Sequence, residues 1–174
     1  MQHVVEETPE VYYSSAPVPT VGDDEIAFLK ERASSNPRRR CRLCLHASPS
    51  AAQHEMLIVH GRDAYVRPHR HERKSESLIV IEGEALAFTF DDTGAVESRI
   101  RLGTPGSSDR FSYFMPAGVW HGLAILSSWF VFVESAAGPF DRNATTFPAW
   151  APDGTDARAA AAYIERLTAG APAA

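Results

Sequence analysis

The sequence predicts an all-β core, a jelly roll or small closed barrel, with one helix before it and one after it. Three observations lead there. Between about residues 40 and 135 the apolar positions follow a period of two, turn-forming clusters interrupt them at short intervals, and helical periodicity is confined to the flanks. Many short strands with turn chemistry between them suit a double-sheet or barrel architecture. The length of 174 residues fits a single domain. A chain of that size buries roughly 70% of the surface its unfolded form exposes, so neither a metal nor a disulfide is needed merely to make it fold.

Residues 1–21 are rich in Pro and Ser, carry Tyr12 and Tyr13, and read as an extended arm that crosses another surface. Over 22–36, Asp23, Asp24 and Glu25 supply cap and first-turn acids. Ile26, Leu29 and Ala33 then recur at i, i+3 and i+7, so a short amphipathic helix packs on the barrel and ends before Pro37. The β domain spans 37–152. Its expected strands lie at Leu57–Val59, Tyr65–Arg67, Leu78–Ile81, Ala85–Phe90, Val96–Leu102, Phe111–Met115, Leu123–Leu126 and Trp129–Val133. Turns are marked by Asp91-Asp92-Thr93-Gly94, Gly103-Thr104-Pro105-Gly106 and Pro116-Ala117-Gly118. Phe140 to Trp150 is irregular and aromatic, and Phe147 and Trp150 are expected to plug one side of the barrel. Residues 153–174 hold a second helix and a tail. Ala160, Tyr163, Ile164 and Leu167 share one face of that helix.

Seventeen Lys and Arg against twenty-two Asp and Glu leave a formal charge of −5, which argues against nucleic acid as a partner. Arg38, Arg39, Arg40 and Arg42 are the local exception and read as a solvated turn or helix end, with anion binding as the alternative. The first ten residues carry acids where a signal peptide is positive, and no apolar run approaches membrane-spanning length. A cytoplasmic chain with no membrane partner is expected. Cys41 and Cys44 read as ordinary reduced thiols. If they lie on a strand they point to opposite faces, because their separation is odd.

The chemistry concentrates in Gly61-x7-His69-Arg70-His71-x4-Glu76-x6-Gly83 and, some 45 positions on, in Pro116-Ala117-Gly118-Val119-Trp120-His121. On a strand His69 and His71 project from one face and can chelate one cation without distorting the backbone. Glu76 opens the next apolar strand, from which a carboxylate can return to the same pocket. His121 follows a Pro-Gly turn at a strand start that can face the first hairpin. Three imidazoles and one carboxylate suit a single divalent transition-metal ion, Fe, Mn, Ni, Co or Zn, better than Ca or Mg, and leave open positions for water or ligand oxygens. Tyr65 and Arg67 share the parity of the histidines. Arg67, Tyr65 and Lys74 are therefore candidate substrate-binding residues, and Tyr65, Lys74 and Tyr113 are candidate catalytic groups. The charges of Arg67 and Lys74 favour an anionic ligand.

The two segments resemble the two motifs of the cupin superfamily. Its first motif supplies two His and a Glu, and its second reads Pro-x-Gly-x-x-His. By that resemblance His69, His71, Glu76 and His121 occupy the four metal-ligand positions and the core is a double-stranded β-helix. Ile125 stands where the second motif often carries Asn, and the glycine that opens that motif is displaced unless Gly106 serves. Further segments extend the likeness from roughly residue 25 to 167. They are Arg42-Leu43-Cys44-Leu45-His46, His54-Glu55-Met56-Leu57-Ile58, Tyr65 through His71, Lys74 through Ser77, Val119-Trp120-His121, Gly138-Pro139-Phe140 and Phe147 through Pro152. Together they are similar to the WbuC family of cupin fold metalloproteins, whose members are typically encoded among bacterial surface-polysaccharide genes. The resemblance implies a metalloprotein and leaves the reaction open; the first reading of the site is action on a small polar or sugar-like molecule by isomerase or epimerase chemistry. A non-enzymatic metal-dependent binding protein and an Fe(II) dioxygenase are the alternatives. A homodimer is expected by analogy, because the outer sheet of such a barrel needs cover.

Overall fold

A computed structural model describes residues 2–107 and 109–169 of the chain. Its elements are β1 (Val4–Thr8), β2 (Val11–Ser14), α1 (Asp23–Ser34), β3 (Arg40–Cys44), β4 (Gln53–Gly61), β5 (Arg70–His71) and β6 (Glu76–Glu82). They continue with β7 (Ala85–Phe90), β8 (Val96–Leu102), β9 (Ser112–Met115), β10 (Trp120–Ile125), β11 (Trp129–Ala137), β12 (Thr145–Thr146) and α2 (Ala157–Thr168). A seven-stranded sheet in the order β1-β2-β3-β4-β11-β6-β9 faces a three-stranded sheet β10-β7-β8, and β12 pairs with β5 as a separate ribbon. This is the double-stranded β-helix with flanking helices that the sequence leads one to expect.

The alternation along each strand sorts side chains into layers. Met56, Ile58, Leu78, Val80, Phe130 and Phe132 from the large sheet meet Ala85, Ala87, Leu102, Leu123 and Ile125 from the small one. Each large side chain buried this way contributes ~1.5–3 kcal/mol of hydrophobic stabilisation. The opposite parity faces outward and is covered by helices. Leu29 and Ala33 of α1 pack on Cys41, Leu43, Leu57, Val59 and Val131, and Lys30 Nζ donates to both Glu82 carboxylate oxygens at 2.7 and 2.6 Å. On the small sheet's outer face, Leu86, Phe88, Phe90, Trp120 and Ala124 are covered by Trp150 and by Ile164 and Leu167 of α2.

Local signals set the element ends. Glu25 Oε2 accepts the Gly22 N–H at 2.8 Å ahead of α1, and Asp156 Oδ1 accepts the Arg158 and Ala159 N–H groups at 2.9 and 3.1 Å to start α2. Gly83 turns β6 into β7 at φ +83°, where a side chain would also collide with the Trp129 carbonyl.

Several details differ from the sequence reading. The N-terminal arm is a hairpin: β1 pairs antiparallel with β2, which pairs in parallel with β3, so the arm widens this chain's own sheet. Tyr65–Arg67 is not a strand. Trp150 does not plug the barrel but lies outside the small sheet against Phe90 and Trp120, with ring centroids 5.1 and 6.0 Å away. Residues 170–174 of the expected tail lie outside the described residues. Cys41 and Cys44 are free and buried, and they face opposite sides of the large sheet as their spacing requires. Burial pushes the Cys41 thiol up to about 12, so it is not a reactive thiolate. In the arginine run, Arg38 and Arg40 both contact Glu10, and Arg39 lies 5.4 Å over the Trp129 ring.

Candidate metal centre

Backbone pairing brings the predicted ligands together. His69 and His121 exchange N–H···O bonds, both 2.9 Å, in an isolated antiparallel bridge, which sets their rings side by side with centroids 4.4 Å apart. His71 follows on the same face, and Gly118, in the turn before His121, donates its N–H to the His71 carbonyl at 2.8 Å. Behind the site, β12 pairs Thr145 with His71. Glu76 begins β6 opposite Met115 and Ala136, and its parity matches inward-facing Leu78 and Val80. One donor atom from each of His69, His71, Glu76 and His121 lies within 4.8 Å of the other three.

The outer nitrogens of the three rings are engaged. His69 Nδ1 lies 2.9 Å from the Arg67 carbonyl and His121 Nδ1 lies 2.9 Å from the Val119 carbonyl, so each Nδ1–H donates to an oxygen. His71 Nδ1 is 3.1 Å from Thr145 Oγ1. The two carbonyl contacts fix the tautomer of His69 and His121 that leaves Nε2 as an inward lone pair, and the Thr145 hydroxyl is compatible with the same tautomer at His71. His71 Nε2 and His121 Nε2 lie 3.3 and 3.1 Å from the two Glu76 oxygens. The latter approach is not aligned as a hydrogen bond, and His121 Nε2 is a buried nitrogen without a partner. Lone pairs that face a carboxylate inside a barrel need a proton or a cation between them. Burial lowers His69 to about 3, so that ring is neutral. Burial also lowers His121, but the adjacent Glu76 carboxylate outweighs it and the net direction is up. Glu76 is lowered, because contacts with His121 and His71 overcome its desolvation. These donors fit a divalent transition-metal ion: they are nitrogen-rich, converge on one point and carry one negative charge.

The other sequence candidates fall in two places. Tyr65 and Arg67 hold the C-terminal aromatic segment. The Tyr65 hydroxyl donates to the Pro152 carbonyl at 2.8 Å. Arg67 donates to the Pro148 carbonyl at 3.1 Å and lies 4.8 Å over the Phe147 ring. Phe147 in turn lies 6.2 Å from His69, so this segment borders the site. Lys74 is half-buried in the loop before β6. Tyr113 projects from β9 into the barrel against the core, and burial raises it well above its ordinary value.

Glu134 escaped the sequence reading. It follows Phe130 and Phe132 at the same inward parity of β11. Burial, and then the Glu76 carboxylate, push it up to about 8. The signal was present in the sequence as an acid at the third inward position of an aromatic strand.

Comparison with known proteins adds the following. The family described as a domain of unknown function, DUF6016, matches residues 21–102, just under half of the chain. No curated protein matches. Similar solved structures include a Shewanella oneidensis protein at 16% identity and TM-score 0.52, covering 74% of this chain and 85% of that one. A cupin 2 conserved barrel domain protein from Rhodopseudomonas palustris has 17% identity and TM-score 0.49, covering 63% and 67%. KdgF from a Halomonas species has 17% identity and TM-score 0.47, covering 63% and 87%. At these identities the likeness is one of fold. The Shewanella likeness supports the shared two-sheet β architecture described above.

Proposed function

We propose that the chain is a cupin metalloprotein of the WbuC type that binds one divalent transition-metal ion through His69, His71, Glu76 and His121 and acts on a small polar or sugar-like molecule by isomerase or epimerase chemistry. The observation that carries the metal reading is the convergence of three imidazole Nε2 faces on one carboxylate, with His121 Nε2 buried and unpartnered. A bound ion would supply Lewis-acid polarisation of a ligand oxygen. The protein's own part is to hold the donors rigid through the His69–His121 bridge and the Nδ1 contacts. Tyr113, facing the barrel interior, is the better placed of the candidate proton-handling groups, since Tyr65 is committed to Pro152.

The chain is also proposed to act in the cytoplasm, a reading supported by two free, buried cysteines, and as a homodimer, a reading supported by exposed apolar residues on the large sheet's outer face. No described helix is long and apolar enough to cross a membrane.

Metal analysis after loading with a first-row dication tests the central reading. The wild type is expected to hold one equivalent. His121→Ala should lose at least tenfold in metal affinity while its circular dichroism stays unchanged. Absence of metal from the loaded wild type, or unaltered binding by the variant, would overturn the proposal.

A further inference from the structure

The register of the large sheet defines the row of side chains directly below the histidine cluster. Glu134 pairs with Leu78 on one side and with Met56 on the other, Leu78 pairs with Tyr113, and Met56 pairs with Cys44. Leu78, Met56 and Cys44 belong to the inner core, so Glu134 faces inward with them. Glu76 lies two residues before Leu78 on the same face, which makes Glu134 its diagonal cross-strand neighbour. Such neighbours lie ~7–8 Å apart, within reach of long side chains.

Glu134 therefore sits one residue pair deeper in the barrel than the candidate ligand carboxylate, flanking Leu78 opposite Tyr113. Neither the Glu134 carboxyl nor the Tyr113 hydroxyl makes a hydrogen bond to any described residue, and Arg42 Nε, His60 Nδ1 and His121 Nε2 on the same interior are also without a partner. Both residues are half-buried, and neither polar end is among the fully buried unpartnered atoms, which leaves them within reach of a small molecule or of water. An interior polar group that the protein does not satisfy must be satisfied by something that enters. The alternative is a position where leucine would be more stable, and a costly acid kept at such a place points to a site.

We infer that Glu134 is a ligand-binding residue: with Tyr113 it forms a polar floor that hydrogen-bonds the far end of a small, uncharged, hydroxylated molecule whose near end reaches the His69–His71–Glu76–His121 cluster. The near-end contact rests on the metal reading above, and the floor does not. The preference for an uncharged ligand follows from the groups around this position. Two carboxyl groups, Glu76 and Glu134, border it, and the Arg67 guanidinium is turned to the Pro148 carbonyl and Phe147. Lys74 and Arg42 act on Glu134 in the opposite sense to burial and Glu76, which outweigh them and favour its neutral form.

The test uses dihydroxyacetone as a neutral probe and glycolate as an anionic probe of similar size. Both are titrated by protein-observed NMR into metal-free and zinc-loaded wild type, Glu134→Gln and Glu134→Leu. Dihydroxyacetone should bind the wild type more tightly than glycolate. Glu134→Leu should weaken dihydroxyacetone at least tenfold in both metal states, with zinc content unchanged and a melting temperature equal to or above that of the wild type. Glu134→Gln, which keeps a donor and an acceptor, should fall between the two.

The inference is overturned by no dihydroxyacetone binding by the wild type, by equal affinity in Glu134→Leu, by a glycolate preference, or by a lower melting temperature in both variants, which marks a structural residue. Loss of zinc in both variants would instead make Glu134 a ligand, and also overturns it. Failure of the wild type to take zinc, with the Glu134 dependence intact in metal-free protein, would count against the metal reading alone.

Discussion

Single residues show most clearly how burial and partners compete. His60 projects into the core from β4, its ring packed edge-on against Phe132 and its Nδ1 buried without a partner. Burial, followed by Arg42 and Arg38, lowers it to about 4. A histidine so lowered binds fewer protons folded than unfolded between its ordinary value of 6.5 and about 4, so it costs stability as pH falls through that window. The span of about 2.5 units corresponds to an upper bound of ~3 kcal/mol. His60→Leu should therefore lose less stability than the wild type between pH 7 and pH 4 in urea titrations. Equal losses would show that His60 takes up its proton as readily in the fold as in the unfolded chain. The ligand histidines were legible from spacing, because the period-two pattern and the Pro-Gly turn bear directly on which way a side chain points. Glu134 was not, although it shares the parity of Phe130 and Phe132, because Val131 and Val133 make the other face equally apolar and only the pairing partners decide which face is inward.

At the level of elements, β7 and β8 match the sequence reading residue for residue, because alternation on both strands and the Asp91–Gly94 turn fix their ends. Tyr65–Arg67 was misread as a strand because Val66 supplies an apolar centre. Pro68 ends any ladder there by lacking an N–H, and the Tyr65 and Arg67 side chains turn to the 148–152 carbonyls instead. The two-residue β12 left no pattern to detect, yet it backs the site. Thr145 Oγ1 orients the His71 ring at 3.1 Å. Second-layer contacts of this kind are typically worth 10–100-fold in metal affinity. Thr145→Val, which keeps the shape and removes the hydroxyl, is expected to weaken metal binding by about tenfold in competition with a chelator dye. An unchanged affinity would mean that pairing with β12 alone holds the ring.

Across the whole molecule, helices cover the outer faces unevenly. Helix α1 packs on β3 and β4, whereas Ile79, Ile81 and Phe114 on β6 and β9 remain exposed, Phe114 by 67%. The layered architecture was legible from composition and period. The hairpin that replaces the arm was not, since parallel pairing of β2 with β3 is a long-range choice that local residues do not specify. If the apolar patch joins two copies, Phe114→Ser should shift mass by light scattering from dimer to monomer without lowering metal content. A monomeric wild type would end the dimer proposal.

The measurement that bears most directly on the site is X-ray absorption at the metal edge of the loaded protein. The donor set described here requires imidazole nitrogens from three histidines and an oxygen from Glu76, with no sulfur. Scattering from sulfur, or a shell without imidazole, would place the ion elsewhere and contradict the account.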